Sequence, residues 1–170
     1  MTETLSNDTI PASGLILHEY SDDLAHHFRE INEEWISAMF HLEQTDKDVL
    51  NAPYERIIAP GGVILCVEMP GRGIIGTCAL QKTGESSFEL TKMGVRSSAR
   101  GLKVGEFLLE AMIDRARTIG ADPLYLLTNS RCEAAIHLYE KLGFHHDADI
   151  MAHYGSRYER VDVAMRYHPL

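Results

Sequence analysis

Three stretches of this chain carry residue types and spacings suited to chemistry. The first is Arg100-Gly101-Leu102-Lys103-Val104-Gly105, two glycines and two cations just before a run patterned as a helix. Such a loop presents free backbone N–H groups at a helix start, where the helix dipole adds positive potential, so it suits a pyrophosphate. A plain strand-to-helix loop with a glycine turn gives the same short pattern. The second is Glu89-Leu-Thr-Lys-Met93-Gly94-Val95, a strand-like run directly upstream. By strand alternation Glu89 shares a face with Thr91, Met93 and Val95, and it reads either as a proton acceptor or as an exposed strand glutamate. The third is Tyr139-Glu-Lys-Leu-Gly143-Phe144 at a helix end, where Tyr139 reads either as a proton donor or as a core tyrosine.

Other reactive side chains form no comparable set. Cys132 has no assignable histidine partner and reads as a bystander. His26 and His27 are adjacent on a helix and face different ways. His145-His146-Asp147 is compact but lacks a spaced ligand set, so no metal site is expected.

The elements that must position these residues follow from periodicity and breakers. Met1–Gly14 reads as a loose tail, and 15–170 as a single domain. Leu15–Tyr20 reads as a strand, and Ser21 offers a helix N-cap. Leu24, Phe28, Ile31, Trp35 and Met39 then form one helical stripe. Thr45–Asn51 reads as a further short helix. Pro60-Gly-Gly, Pro70-Gly-Arg-Gly and Thr83-Gly-Glu punctuate three strands, 63–68, 74–81 and 88–95, which make an antiparallel meander. Val104, Leu108, Ala111, Met112, Arg115 and Ile119 trace a helix ended by Gly120. Leu124–Thr128 is a short buried strand. Ser130 and Glu133 fit a capping box for a helix striped by Ala135, Leu138 and Leu142 and closed by Gly143. Strands at 144–146 and 161–167, with an irregular segment between them, complete a meander followed by β–α–β–α–β.

Bulk properties bound the function. With 170 residues, 45% hydrophobic and 24% charged, the chain has the size and composition of one globular domain. Its net charge of −9 opposes binding to phosphate backbones, so no nucleic-acid partner is expected. No apolar run approaches the roughly 20 residues of a membrane span. Met1–Ser13 lacks the pattern of a signal peptide. The three cysteines, Cys66, Cys78 and Cys132, are odd in number and far apart, which points to a reducing compartment and a cytoplasmic protein.

Taken together, Val95-x4-Arg100-Gly-x-x-x-Gly105, the downstream strand with Asn129, and Ala135-Ile-His-Leu-Tyr139-Glu-Lys-Leu-Gly143-Phe144 resemble the GNAT superfamily of N-acetyltransferases. The resemblance is strongest over about residues 60 to 146, and the order of elements fits from Leu15 to Tyr167. One position departs: Lys103 stands where the loop signature has its middle glycine; with a negative φ it can still donate its N–H, and its ammonium either reaches a phosphate or crowds the site.

The resemblance implies an α/β (α+β) fold with a mixed, mainly antiparallel sheet of six to seven strands flanked by helices. It implies acetyl-CoA as co-substrate and direct attack by a primary amine of a small molecule, amino acid or peptide. Backbone groups at Met93 and Val95 would hold the pantetheine like an added strand. An N–H near Met93 or Gly94 would polarise the acetyl carbonyl. Arg100, Gly101, Leu102, Lys103, Val104 and Gly105 would hold the pyrophosphate, and Asn129 would contact the pantetheine. Tyr139 falls at the family's general-acid position, and Glu89 where some members place the base. The acceptor would lie between Trp35, Phe40, His41 and Tyr54 on one side and Arg157, Tyr158 and Arg160 on the other. Two arginines there would suit a carboxylate. A non-catalytic acyl-CoA sensor and a transferase of longer acyl chains are the alternatives. Pairing of terminal strands, common in the family, would make a homodimer.

Overall fold

The computed structural model describes residues 14–168, so all of the expected Met1–Gly14 tail except Gly14 lies outside the described residues. Seven strands form one sheet in the order β1-β2-β3-β4-β5-β7-β6. The strands are β1 (Ile16–Glu19), β2 (Val63–Met69), β3 (Gly73–Lys82), β4 (Phe88–Val95), β5 (Leu124–Thr128), β6 (Phe144–His146) and β7 (Val163–Tyr167). Every neighbouring pair is antiparallel except β4 and β5, which are parallel and joined across helix α3 (Val104–Thr118).

Period-two alternation sends each strand's side chains to two cores. On β2, Val63, Leu65 and Val67 join the main core under α3, while Ile64 and Cys66 join a second core. That second core is covered by α1 (Ala25–Met39) and α2 (Gln44–Asn51) through Phe28, Val49 and Leu50. On the main face, α3 buries Val104, Leu108, Leu109, Met112, Ile113 and Ala116. Each of these larger side chains contributes about 1.5–3 kcal/mol by leaving water.

Helix α4 (Glu133–Leu142) ends at Gly143, whose φ of +115° is a conformation that L side chains rarely adopt. A Cβ there would also lie 2.9 Å from the Tyr167 ring, so the turn into β6 requires glycine.

Local start signals are where the sequence reading departs from the structure. The expected Ser130–Glu133 capping box is absent: Cys132 is the N-cap of α4, and no side chain caps it. Ser130 instead gives both its N–H and its hydroxyl to Asp162. The segment read as irregular holds a helix, α5 (Ala148–Tyr154), capped by the Asp147 carboxylate on the Ile150 N–H.

Candidate functional site

Strands β4 and β5 pair over only three positions, Phe88–Leu124, Glu89–Tyr125 and Leu90–Leu126. Beyond Leu90 the two strands part, and β5 keeps only its antiparallel partner β7. The gap opens a cavity of about 720 Å³. Its walls come from β4 beyond Leu90, the loop into α3, the end of β5, the start of α4, and the side chains of Trp35, Phe40, Tyr158 and Arg160. All of the residues expected to bind a cofactor line it except Leu102, whose side chain is exposed on the outside of the loop.

A bulge in β4 sets what faces the gap. Ala79 pairs with Thr91 and Thr77 with Gly94, so Cys78 alone stands opposite both Lys92 and Met93. Lys92 takes φ +53° to absorb the extra residue. The bulge reverses the alternation: Leu90, Met93 and Val95 all pack on the main core. Glu89 therefore does not share their face, and the expected Glu89–Thr91–Met93–Val95 alignment breaks after Thr91.

Glu89 is not an exposed strand residue either. It is 1% exposed, it does not line the cavity, and its Oε1 accepts no hydrogen bond, although Arg157 Nε lies 3.3 Å away. Burial pushes its carboxyl above the usual range, against the opposing charges of Arg157 and Lys92.

Past the bulge, Gly94 allows a close approach. A Cβ there would sit 2.6 Å from Trp35 Cδ1, so only a bare backbone lets Trp35 lie on β4. Trp35 is fixed in place by its Nε1–H bond to Asn32 Oδ1 at 2.8 Å.

The loop ends in an uncapped helix. Lys103 is the N-cap of α3, and no side-chain bond satisfies the first turn. The Lys103 carbonyl accepts from Phe107, leaving the N–H groups ahead of Phe107 as the unpaired start of the helix. Arg100 and Lys103 both line the cavity there. Glu106, an acid in the same turn, is paired with Lys141 at 3.1 Å. Lys103 does not meet the condition of a negative φ: it sits at +61°, the left-handed conformation a glycine would take without strain.

Tyr139 projects from α4 into the cavity wall, 7% exposed, with its ring edge-on to Phe144 at 5.9 Å. Its hydroxyl has no hydrogen-bond partner among the described residues. Burial pushes its pKa well above the usual phenol value, with Cys78 and Cys132 adding to the effect, so the group is a neutral O–H donor. Asn129 also lines the cavity, but its side chain is engaged. Nδ2 donates to the Arg160 carbonyl at 2.7 Å, and Oδ1 accepts from the Arg131 N–H at 2.8 Å. Cys132 lines the wall as well, with no histidine among the lining residues. No group of three or more metal-ligating side chains occurs among the described residues.

The far end of the cavity rests on a buried ion network built around Asp46 of α2. Its two oxygens accept from Lys92 Nζ (2.9 Å), Arg160 Nη1 and Nη2 (each 2.8 Å) and the Glu43 N–H (3.0 Å). Burial alone would raise the Asp46 pKa, but the Arg160 hydrogen bonds and the Lys92 charge outweigh it and hold the carboxyl well below the usual range. Lys92 goes the other way. Burial opposes its charge, and Tyr158, Asp46 and Glu89 together hold its pKa above the ordinary lysine value.

Of the expected acceptor walls, Trp35, Phe40, Tyr158 and Arg160 line the cavity, whereas His41, Tyr54 and Arg157 do not. Lys92, Asp46 and Arg131 were not singled out from the sequence. The one signal available was a lysine in the middle of an otherwise buried strand.

These features fit a ligand with an anionic end, an extended amide-bearing arm and a group that takes a proton. The anionic end would meet the open start of α3, the arm the unpaired edge of β4, and the proton acceptor the free Tyr139 hydroxyl.

A profile of the acetyltransferase (GNAT) family matches residues 22–144. Mycothiol acetyltransferase of Propionibacterium freudenreichii is 27% identical over 136 residues, which cover 77% of this chain and 43% of that protein. The uncharacterized N-acetyltransferase YjgM of Escherichia coli is 33% identical over 99 residues, covering 57% of this chain and 59% of that protein. The chain spans about half the length of the curated relatives it matches. Among solved structures, a GNAT-family acetyltransferase of Staphylococcus aureus Mu50 superposes with a TM-score of 0.79 at 20% identity, over 90% of this chain and 98% of that one. The acetyltransferase yncA of Salmonella typhimurium, solved with its cofactor acetyl-CoA, superposes with a TM-score of 0.71 at 20% identity, over 92% of this chain and 94% of that one. At these identities the likeness to the solved structures is one of fold.

Proposed function

The chain belongs to the acetyltransferase (GNAT) family, and we propose that it transfers the acetyl group of acetyl-CoA to a primary amine by direct attack. The observation that carries this reading is the Tyr139 hydroxyl: a neutral O–H donor without a partner among the described residues, on a mostly buried side chain that lines the gap between β4 and β5. A domain kept only to sense acyl-CoA has no need of an unsatisfied proton donor there.

Acetyl-CoA supplies an activated thioester. The residues of this chain do the rest. Arg100, Lys103 and the open N–H groups at the start of α3 hold the pyrophosphate. The free β4 edge at Met93 and Val95 aligns the pantetheine arm, and an N–H at Met93 or Gly94 polarises the acetyl carbonyl. Asn129 contributes by fixing the backbone of Arg131 and Arg160 around the arm. Tyr139 gives its proton to the departing sulfur, whose thiol has an ordinary pKa of about 8.5. Glu89 takes the amine's proton one step removed, by way of the cavity-lining Thr91 and solvent, and not by direct contact. Residues 15–170 act as one domain in this reading.

Thermal unfolding with acetyl-CoA, CoA and ATP, followed by CoA release against an amine panel, tests the proposal. Stabilisation by acetyl-CoA but not by ATP, with CoA released by some amine, is the expected result. No stabilisation by acetyl-CoA or CoA would overturn it.

A further inference from the structure

We propose that the acceptor is an amino acid: a small primary amine that carries a free carboxylate, with an apolar side chain. This rests on the transferase reading above and concerns the other end of the same cavity.

The argument is an inventory of donors and acceptors around Tyr158, which is 4% exposed and lines the cavity. Its hydroxyl accepts from Lys92 Nζ at 3.2 Å and from Arg157 Nε at 3.4 Å. Both lone pairs are then used, and the Tyr158 O–H proton has no acceptor among the described residues. Lys92 has three N–H donors and uses two, on Asp46 and Tyr158. Arg160 directs Nη1 and Nη2 at Asp46 and Glu43, and its Nε–H has no partner among the described residues.

Of the neighbouring acceptors, Glu89 Oε1 is open but does not line the cavity, and the other two carboxylates are already in use. Asp46 takes four hydrogen bonds, and Glu43 takes the Glu159 and Arg160 N–H groups together with Arg160 Nη1. On the cavity wall itself the surplus is therefore in donors, carried by Lys92, Tyr158 and Arg160. Donor capacity that a bound ligand shuts off from water without an acceptor is costly, and a carboxylate satisfies several donors at once through charge-assisted bonds.

The charge pattern agrees. The acidic side chains that reach the cavity, Glu106 and Glu133, sit in the first turns of α3 and α4, away from this wall. A cationic acceptor would find no acidic side chain in the cavity lining beside Tyr158. Trp35, Met39 and Phe40 supply an apolar wall for the side chain.

The test compares kcat/KM at saturating acetyl-CoA for leucine, methionine and phenylalanine, their amides and their decarboxylated amines. The amino acids should exceed both analogues by about 100-fold, because a site built around buried donors rejects a ligand lacking the acceptor. Tyr158→Phe should lower that preference by about 10-fold while leaving the KM for acetyl-CoA unchanged, since it removes a donor at the carboxylate and nothing at the cofactor. As a readout independent of turnover, N-acetylleucine should stabilise the protein–CoA complex against heat, and N-acetylleucinamide should not.

Equal or better turnover of the decarboxylated amines overturns the proposal. So does failure of every amino acid to react or bind while acetyl-CoA still stabilises the protein. Failure of acetyl-CoA to bind would instead sink the transferase reading, and the acceptor assignment with it.

Discussion

Lys92 Nζ and Asp46 Oδ1 meet at 2.9 Å, and neither side chain is more than 2% exposed. A buried pair of this kind is weak grounds for net stability against a well-packed apolar alternative, but removing one partner strands the other. Here the stranded groups would be Lys92 and Arg160, which hang on the same carboxylate.

Asp46→Asn should therefore destabilise the fold by about 3–5 kcal/mol in urea denaturation at neutral pH. The pH dependence has a definite sign. The Asp46 carboxyl is held well below its unfolded value, so its contribution is fully present above about pH 4 and is lost as pH falls through the folded pKa. The variant should show a flatter fall in stability below pH 4 than the wild type. An unchanged acid profile would remove Asp46 from the network's centre.

Tyr139→Phe deletes only a hydroxyl that bonds nothing among the described residues. Stability should change little. If Tyr139 protonates the leaving sulfur, kcat should fall by about 100-fold or more with the KM for acetyl-CoA nearly constant. A loss confined to KM would reassign Tyr139 to cofactor binding.

Lys103 lets backbone strain be separated from charge. Its φ of +61° costs a non-glycine residue on the order of 1 kcal/mol. Lys103→Gly should raise stability by about 0.5–1 kcal/mol, whereas Lys103→Ala keeps the strain and should not. Both lose the ammonium, so both should raise the KM for acetyl-CoA. A higher KM in the alanine variant alone would mean that loop shape, not charge, governs binding.

Glu89→Gln tests the proton path. Burial raises the Glu89 pKa, so the ionised group works against folding once pH rises above its unfolded value of about 4.3. The variant should be more stable than wild type at pH 7 and equal to it below about pH 4. If Glu89 draws the amine's proton through Thr91, kcat should fall by about 100-fold and the acid limb of the pH–rate profile should disappear. Full activity with raised stability would make Glu89 part of the framework that holds Arg157.

The sheet, its strand order and the cofactor end of the cavity were legible because they rest on local signals. The alternation of Val63–Val67, the stripe of α3 and the Gly143 stop each lie within one element. The bulge at Lys92 was not legible. One inserted residue in a strand leaves no mark in composition, yet it moves Glu89 off the face shared by Met93 and Val95. The ion network was hidden for a different reason. Asp46, Lys92 and Arg160 are 46 to 114 residues apart in pairs that meet Asp46, and only the packing of α2 against the segment before β7 joins them. The Ser130 capping box failed to a competing partner, Asp162, which the sequence places far downstream.

The three-pair join between β4 and β5 has a mechanical consequence. The sheet behaves as two plates, β1–β4 and β5–β7–β6, welded along Phe88–Leu90 and open beyond it. A molecule wedged in the opening touches both plates beyond the weld and works as a rivet. With the opening filled, the plates are tied at two points and move as one. With it empty, the three-pair join and the main core beneath α3 are what hold the two plates together.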